Sequence, residues 1–172
     1  MPIIEARNGE ALRQARRLLA EYFDSITEAF GMLELDLDDL RRQRRDEVAS
    51  LPGEYAPPGG RLLLARRGGR AAGCVALRRL GPAVCEMKRL YVRPPFRGGG
   101  LGRRLAAAAV ASARGMGYER VRLNTLPSMD RARALYGGLG FREIPAYRHV
   151  PFPGLIFLEL VLAEPAGSGG DG

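Results

Sequence analysis

The stretch from Cys85 to Met116 constrains this chain most: an extended segment CEMKRLYVRPP, a turn FRGGGLG, then a helix-patterned run RRLAAAAVASARGM. Pro94 and Pro95 cannot continue a ladder of strand hydrogen bonds, so the extended segment stops there. Gly98, Gly99 and Gly100 follow. Glycine accepts positive φ and close approach of another backbone, so the main-chain N–H groups of this turn can converge at the tip of the next helix. The first turn of a helix adds unpaired donors and about half a positive charge. The expected occupant is an anion such as phosphate or pyrophosphate.

The rest of the chain reads as elements around that turn. Pro2 to Ala6 is a short strand, and Asn8 is a plausible cap for a helix in which Leu12, Ala15, Leu18, Leu19, Tyr22, Phe23, Ile26 and Phe30 recur at helical spacing. A second helix starts at Asp36 or Asp38 on Leu37, Leu40, Val48 and Leu51; its middle, RRQRRDE, reads as a solvated face with pairs such as Arg42 with Asp46. The loop SLPGEYAPPGG is a breaker in which no regular element is expected. Arg61 to Arg66 and Ala71 to Leu80 form a hairpin across Gly68-Gly69, and the CEMKRLYV segment adds a third antiparallel strand. Arg120 to Leu126 follows a helical crossover, which makes it parallel to that segment. Ser128 is expected to cap a helix over Met129–Gly138, and Phe141 to Ala146 and Leu155 to Leu162 are the last strands.

This is a mixed α+β pattern of six to seven strands, long enough at 172 residues and 46% hydrophobic content for one domain over residues 1–163. The tail 164–172 has too few apolar residues to order itself. A formal charge of +8 raises the question of nucleic acid. Lys88 is the only lysine, however, and the arginines form no cluster interleaved with exposed aromatics, so no nucleic-acid partner is expected. The longest apolar run, LAAAAVA, falls far short of the roughly 20 residues of a membrane span, and the start lacks a signal-peptide pattern. The two cysteines, Cys74 and Cys85, are expected reduced, in the cytoplasm.

The glycine turn matches neither of two other phosphate loops. Arg103 stands where a P-loop needs lysine and where a dinucleotide fingerprint needs its third glycine. Arg97-Gly98-Gly99-Gly100-Leu101-Gly102 instead resembles the acetyl-CoA motif of the GNAT family of N-acetyltransferases: Gln or Arg, two residues, Gly, one residue, Gly or Ala. Its neighbours strengthen the resemblance: a strand ending Leu90-Tyr91-Val92 before it, a strand ending near Asn124 after it, and the run ARALYGGLGF from Ala132 to Phe141.

The resemblance implies a mixed, mostly antiparallel sheet with helices on both faces, splayed at the parallel strand pair. It implies acetyl-CoA as co-substrate, with no metal. Gly98 to Arg103 would hold the pyrophosphate through their N–H groups, with Arg97 and Arg103 turned to the phosphates. Leu90 and Val92 would offer backbone groups to the pantetheine, and Asn124 would meet it from across the splay. Tyr136 would give a proton to the departing thiolate. An alkyl ammonium must also lose a proton before it attacks, and Glu86 is the candidate base, directly or through water. An ion pair with Lys88 or Arg89 is the other reading of Glu86, and a core position the other reading of Tyr136. His149, the one histidine, lies in a loop that closes over the acceptor in some relatives, and is structural otherwise. The expected activity is transfer of an acetyl group to a primary amine of a small molecule or peptide by a monomer or homodimer; a CoA-binding regulatory module without turnover is the second reading.

Overall fold

Gly68 and Gly69, at φ +55° and +77°, turn β2 (Arg61–Arg67) back into β3 (Arg70–Arg79) in the computed structural model, which describes residues 1–30, 37–150 and 154–162. The other elements are β1 (Ile3–Glu5), α1 (Gly9–Phe30), α2 (Leu37–Ser50), β4 (Val84–Val92), α3 (Leu101–Gly115), β5 (Arg120–Thr125), α4 (Asp130–Gly138), β6 (Arg142–Ile144) and β7 (Ile156–Val161). They form one seven-stranded sheet in the order β1-β2-β3-β4-β5-β7-β6. Every neighbour pair is antiparallel except β4 with β5. This is the mixed, mostly antiparallel sheet expected from the sequence.

Period-two alternation gives each strand one residue for each face, and the two faces carry separate cores. On one face Leu63, Ala65, Val75, Leu77, Cys85 and Met87 meet α3. Leu105, Ala106, Ala109 and Ala113 are fully buried there, and their small side chains let the helix sit close to the sheet. On the other face Leu62, Leu64, Cys74, Ala76 and Tyr91 meet Ala15, Leu18, Leu19 and Phe23 of α1. The close approach of α3 depends on Gly73. A Cβ there would stand 2.6 Å from the Tyr91 carbonyl oxygen and 3.0 Å from Leu105 Cδ1. Gly73→Ala is expected to lose about 1–3 kcal/mol by overpacking, read as a lower urea midpoint at unchanged slope.

Several local expectations are corrected. The breaker loop holds a single 3-10 turn, Gly53–Tyr55, because Tyr55 is drawn into the α1 core at 2% exposure. Ser128 does not cap α4; the capping position is Met129, with no side-chain cap. Strand β6 is only three residues, since Phe141 is held back by its N–H bond to the Tyr136 carbonyl oxygen (3.0 Å). The face RRQRRDE of α2 is not wholly solvated: Arg44 and Glu47 turn inward, and Arg42 with Asp46 is not among the ion pairs of the described residues. Expectations for Asp36, for the tail 164–172 and for part of the loop after Tyr147 fall outside the described residues.

Candidate active site

The parallel ladder between β4 and β5 is short. It pairs Val84 with Arg120, Cys85 with Val121 and Glu86 with Arg122, and then stops. Beyond Glu86 the β5-side edge of β4 has no strand partner among the described residues from Met87 to Val92, while β5 runs on to Thr125 against β7. The sheet is therefore split at this point, as expected, and unpaired backbone groups line the gap.

A bulge then turns β4 over. Cys74 of β3 pairs with Tyr91 and Ala76 with Lys88, so one residue of β3 faces two of β4. The change is taken up by Arg89, at φ +59°. Glu86 and Lys88 point to the α1–α2 side; after the bulge Arg89 and Tyr91 do so, and Leu90 and Val92 pack toward α3. Glu86, Lys88, Leu90 and Val92 share one parity in CEMKRLYV, and the bulge is why they do not share one face.

At the far end of β4 the 3-10 turn Pro94–Phe96 leads into the glycines. Gly98 and Gly100 lie at φ +84° and +76°, and Gly100 caps α3 with no side-chain hydrogen bond. Among the described residues the N–H groups of Gly98 to Arg103 meet no acceptor, and a Cβ at Gly98, Gly99 or Gly100 would touch nothing within 4 Å. A concave set of free donors at a helix start fits a pyrophosphate. Arg97 remains at the turn, its Nε bonded to the Val92 carbonyl oxygen (2.8 Å) and its guanidinium over the Tyr91 ring. Arg103 reaches the other way, to the Gly138 carbonyl oxygen at 3.3 Å.

The gap opens into a cavity of about 460 Å³ lined by α1, α2, β4, the end of β5, α4 and residues 148–150. Leu90, Asn124 and Tyr136 all line it, so the structure brings these three expected site residues together. Tyr136 is 8% exposed, edge-on to Phe141 at 5.7 Å, and burial pushes its phenol pKa up. No hydrogen bond to its hydroxyl is seen among the described residues. His149 is exposed and also lines the cavity.

Glu86 stands one layer behind that surface. It is fully buried and does not line the cavity. Its carboxylate accepts from Arg78 Nε (2.9 Å) and the Tyr147 hydroxyl (2.5 Å), and lies 3.3 Å from Arg148 and 3.8 Å from Lys88 Nζ. Tyr147 is pushed up by burial and by Glu86, and the Asn124 side chain lies within its reach.

Lys88 is a cavity residue that the sequence offered only as an ion-pair partner. Burial, then the charges of Arg89 and Arg78, lower its pKa to about 8 against the pull of Glu86 and Glu47. Arg89 grips Glu47 of α2 with two bonds of 2.9 and 2.7 Å and lies over the rings of Tyr22 and Phe23. Burial pushes the Glu47 carboxyl up, but Arg89 and the Tyr55 hydroxyl outweigh it and hold it below its ordinary value. The inward turn of Glu47 is matched by an oppositely charged partner distant in sequence, which no local pattern announces. Burial raises Cys85 to about 12, so its thiol is no nucleophile at neutral pH. The described residues hold no group of three or more His, Cys, Asp or Glu placed to bind a metal, and no helix long and apolar enough to cross a membrane.

A model of the acetyltransferase (GNAT) family matches residues 15–141, and the chain belongs to that family. It is 40% identical over 152 residues to an uncharacterized N-acetyltransferase of Schizosaccharomyces pombe, covering 87% of each chain. Its fold is similar to an acetyltransferase from Streptococcus agalactiae, with TM-score 0.74 at 20% identity over 94% of this chain and 98% of that one. It is similar in the same sense to the PaiA N-acetyltransferase of Thermoplasma acidophilum in complex with coenzyme A, with TM-score 0.70 at 16% identity over 94% and 99% of the two chains. The protein is an acyltransferase of the GNAT class.

Proposed function

We propose that residues 1–163 act as one cytoplasmic acetyltransferase domain that moves the acetyl group of acetyl-CoA directly to a primary amine of a small molecule or peptide. The observation that carries this reading is the β4 edge left unpaired by β5, with the free N–H groups of Gly98–Arg103 beyond its end and the cavity beside Leu90, Asn124 and Tyr136 along it. Acetyl-CoA supplies the activated acyl group. The glycine turn and Arg97 hold its pyrophosphate, Leu90 and Val92 lie along its pantetheine, and Asn124 faces it from β5. The Val92 carbonyl is already taken by Arg97, which leaves its N–H as that residue's free group. Burial keeps the Tyr136 phenol protonated, so it serves as the hydrogen-bond donor to the sulfur as negative charge develops there. Glu86 accepts the proton of the amine through Tyr147 or a water, since its carboxylate does not reach the cavity surface.

Each N–H bond to a phosphate oxygen is worth about 1.5–3 kcal/mol. Gly100→Val puts a branched residue at φ +76°, where it cannot sit without moving the turn. Loss of two such bonds weakens acetyl-CoA binding by about 100-fold or more, measured by calorimetry. Wild-type affinity in that variant would remove the site.

A further inference from the structure

The cavity wall is unusually cationic for a site that receives an amine. Arg44, Lys88, Arg89 and Arg148 line it against one carboxylate, Glu47. Arg89 is fully engaged by Glu47, but the other three are not neutralised in this way. Lys88 Nζ comes no closer than 3.8 Å to a carboxylate oxygen and makes no hydrogen bond among the described residues. Arg148 meets Glu86 only at 3.3 Å and longer, and its buried Nε has no partner. Arg44 bonds the Thr27 hydroxyl and the Phe23 carbonyl oxygen, with no carboxylate in ion-pair range among the described residues. Lys88 is set apart from the phosphate turn: four residues and a bulge lead from it to Val92, and the glycines lie beyond Val92. Tyr22, Phe23, Ile26, Leu126 and Val150 give the wall an apolar part, beside the polar Gln43, Asn124, Thr125 and His149.

We infer that the acceptor amine also carries a carboxylate on an apolar body, the chemistry of an apolar α-amino acid, with the carboxylate held by Lys88 and Arg148, which meet at Glu86. The inference rests on the acetyltransferase reading above. An anion in the cavity gives Lys88 the close hydrogen-bond partner that Glu86, at 3.8 Å, does not supply, a charge-assisted arrangement. The same positive field opposes an ammonium, so it favours the neutral amine that attacks. In the transfer, the amine nitrogen bonds the acetyl carbon as the carbon–sulfur bond breaks; one proton leaves the nitrogen and one goes to the sulfur.

The test compares L-phenylalanine and L-leucine with their carboxamides and with phenethylamine, reading CoA release at fixed acetyl-CoA. The acids are expected to exceed the amides and the amine at least tenfold in kcat/KM, chiefly through KM. That preference should collapse in Lys88→Met and Arg148→Met and persist in Lys88→Arg. Inhibition by N-acetylphenylalanine, which has no titrating amine, gives a second readout. It should weaken between pH 7 and 9.5 as Lys88 discharges, and stay flat in Lys88→Arg. The charged groups about Lys88 are Arg78 of β3, Glu86 and Arg89 of its own strand and Glu47 of α2, with Arg148 and His149 lining the same cavity. Amides or peptide N-termini used as well as the acids would overturn the inference and leave the acetyltransferase reading standing. No CoA release with any amine would overturn both.

Discussion

Tyr136→Phe is expected to lower kcat by about 100-fold or more while acetyl-CoA affinity stays within a few-fold, the size of effect that a positioned proton donor supplies. The residue invites this test because its ring and its hydroxyl do separate jobs. The ring is 8% exposed and packs edge-on against Phe141, so phenylalanine keeps the contact. No hydrogen bond to the hydroxyl is seen among the described residues, so its removal breaks no fold contact of that kind. Thermal unfolding of the variant should therefore match or exceed wild type while turnover falls. A kcat within twofold of wild type would assign the tyrosine to the core alone.

Arg89→Leu is expected to cost about 3 kcal/mol of stability, the low end for breaking one side of a buried ion pair. The low end applies because Glu47 keeps 23% of its side chain exposed. The arginine ties β4 to α2 through Glu47, covers Tyr22 and Phe23, and leaves Glu47 with the Tyr55 hydroxyl alone when it goes. Arg89→Leu combined with Glu47→Leu should recover much of the loss, since neither charge is then stranded. The pH dependence has a definite sign. Glu47 has a depressed folded-state pKa, so its contribution is present above the ordinary carboxylate pKa and is lost as pH falls through the folded value. The gap between wild type and Arg89→Leu in urea titrations should thus shrink in acid.

These two residues also show what the sequence could and could not reveal. Tyr136 sits in the ARALYGGLGF run, and the glycine turn follows a strand and opens a helix; short motifs of this kind are local and readable. The order β2-β3-β4-β5 follows from hairpin turns and one helical crossover, whereas the insertion of β7 between β5 and β6 does not. The bulge at Arg89 is a different kind of fact. It is a register shift between β3 and β4, and a non-glycine residue at φ +59° has no signature in composition. The mixed parity of CEMKRLYV is compatible with a bulge or with a face lining a polar cleft, and the register in the structure separates Leu90 and Val92 from Glu86 and Lys88. Arg44 and Glu47 look like members of a solvated run because their partners lie in α1 and β4, far away in sequence. Arg103 occupies the first turn of α3 but bends to the end of α4, a choice made by tertiary neighbours.

The early end of the β4–β5 ladder has one more consequence. Glu86 is the last residue of β4 paired with β5, and its carboxylate holds Tyr147 and Arg148, which follow β6 in the other half of the sheet. Where the backbone stops stitching the halves together, a single side chain takes over as a clasp. The width of the cleft therefore hangs on the length and charge of residue 86, and the shape offered to an acceptor is set from underneath, by a group the acceptor need never touch.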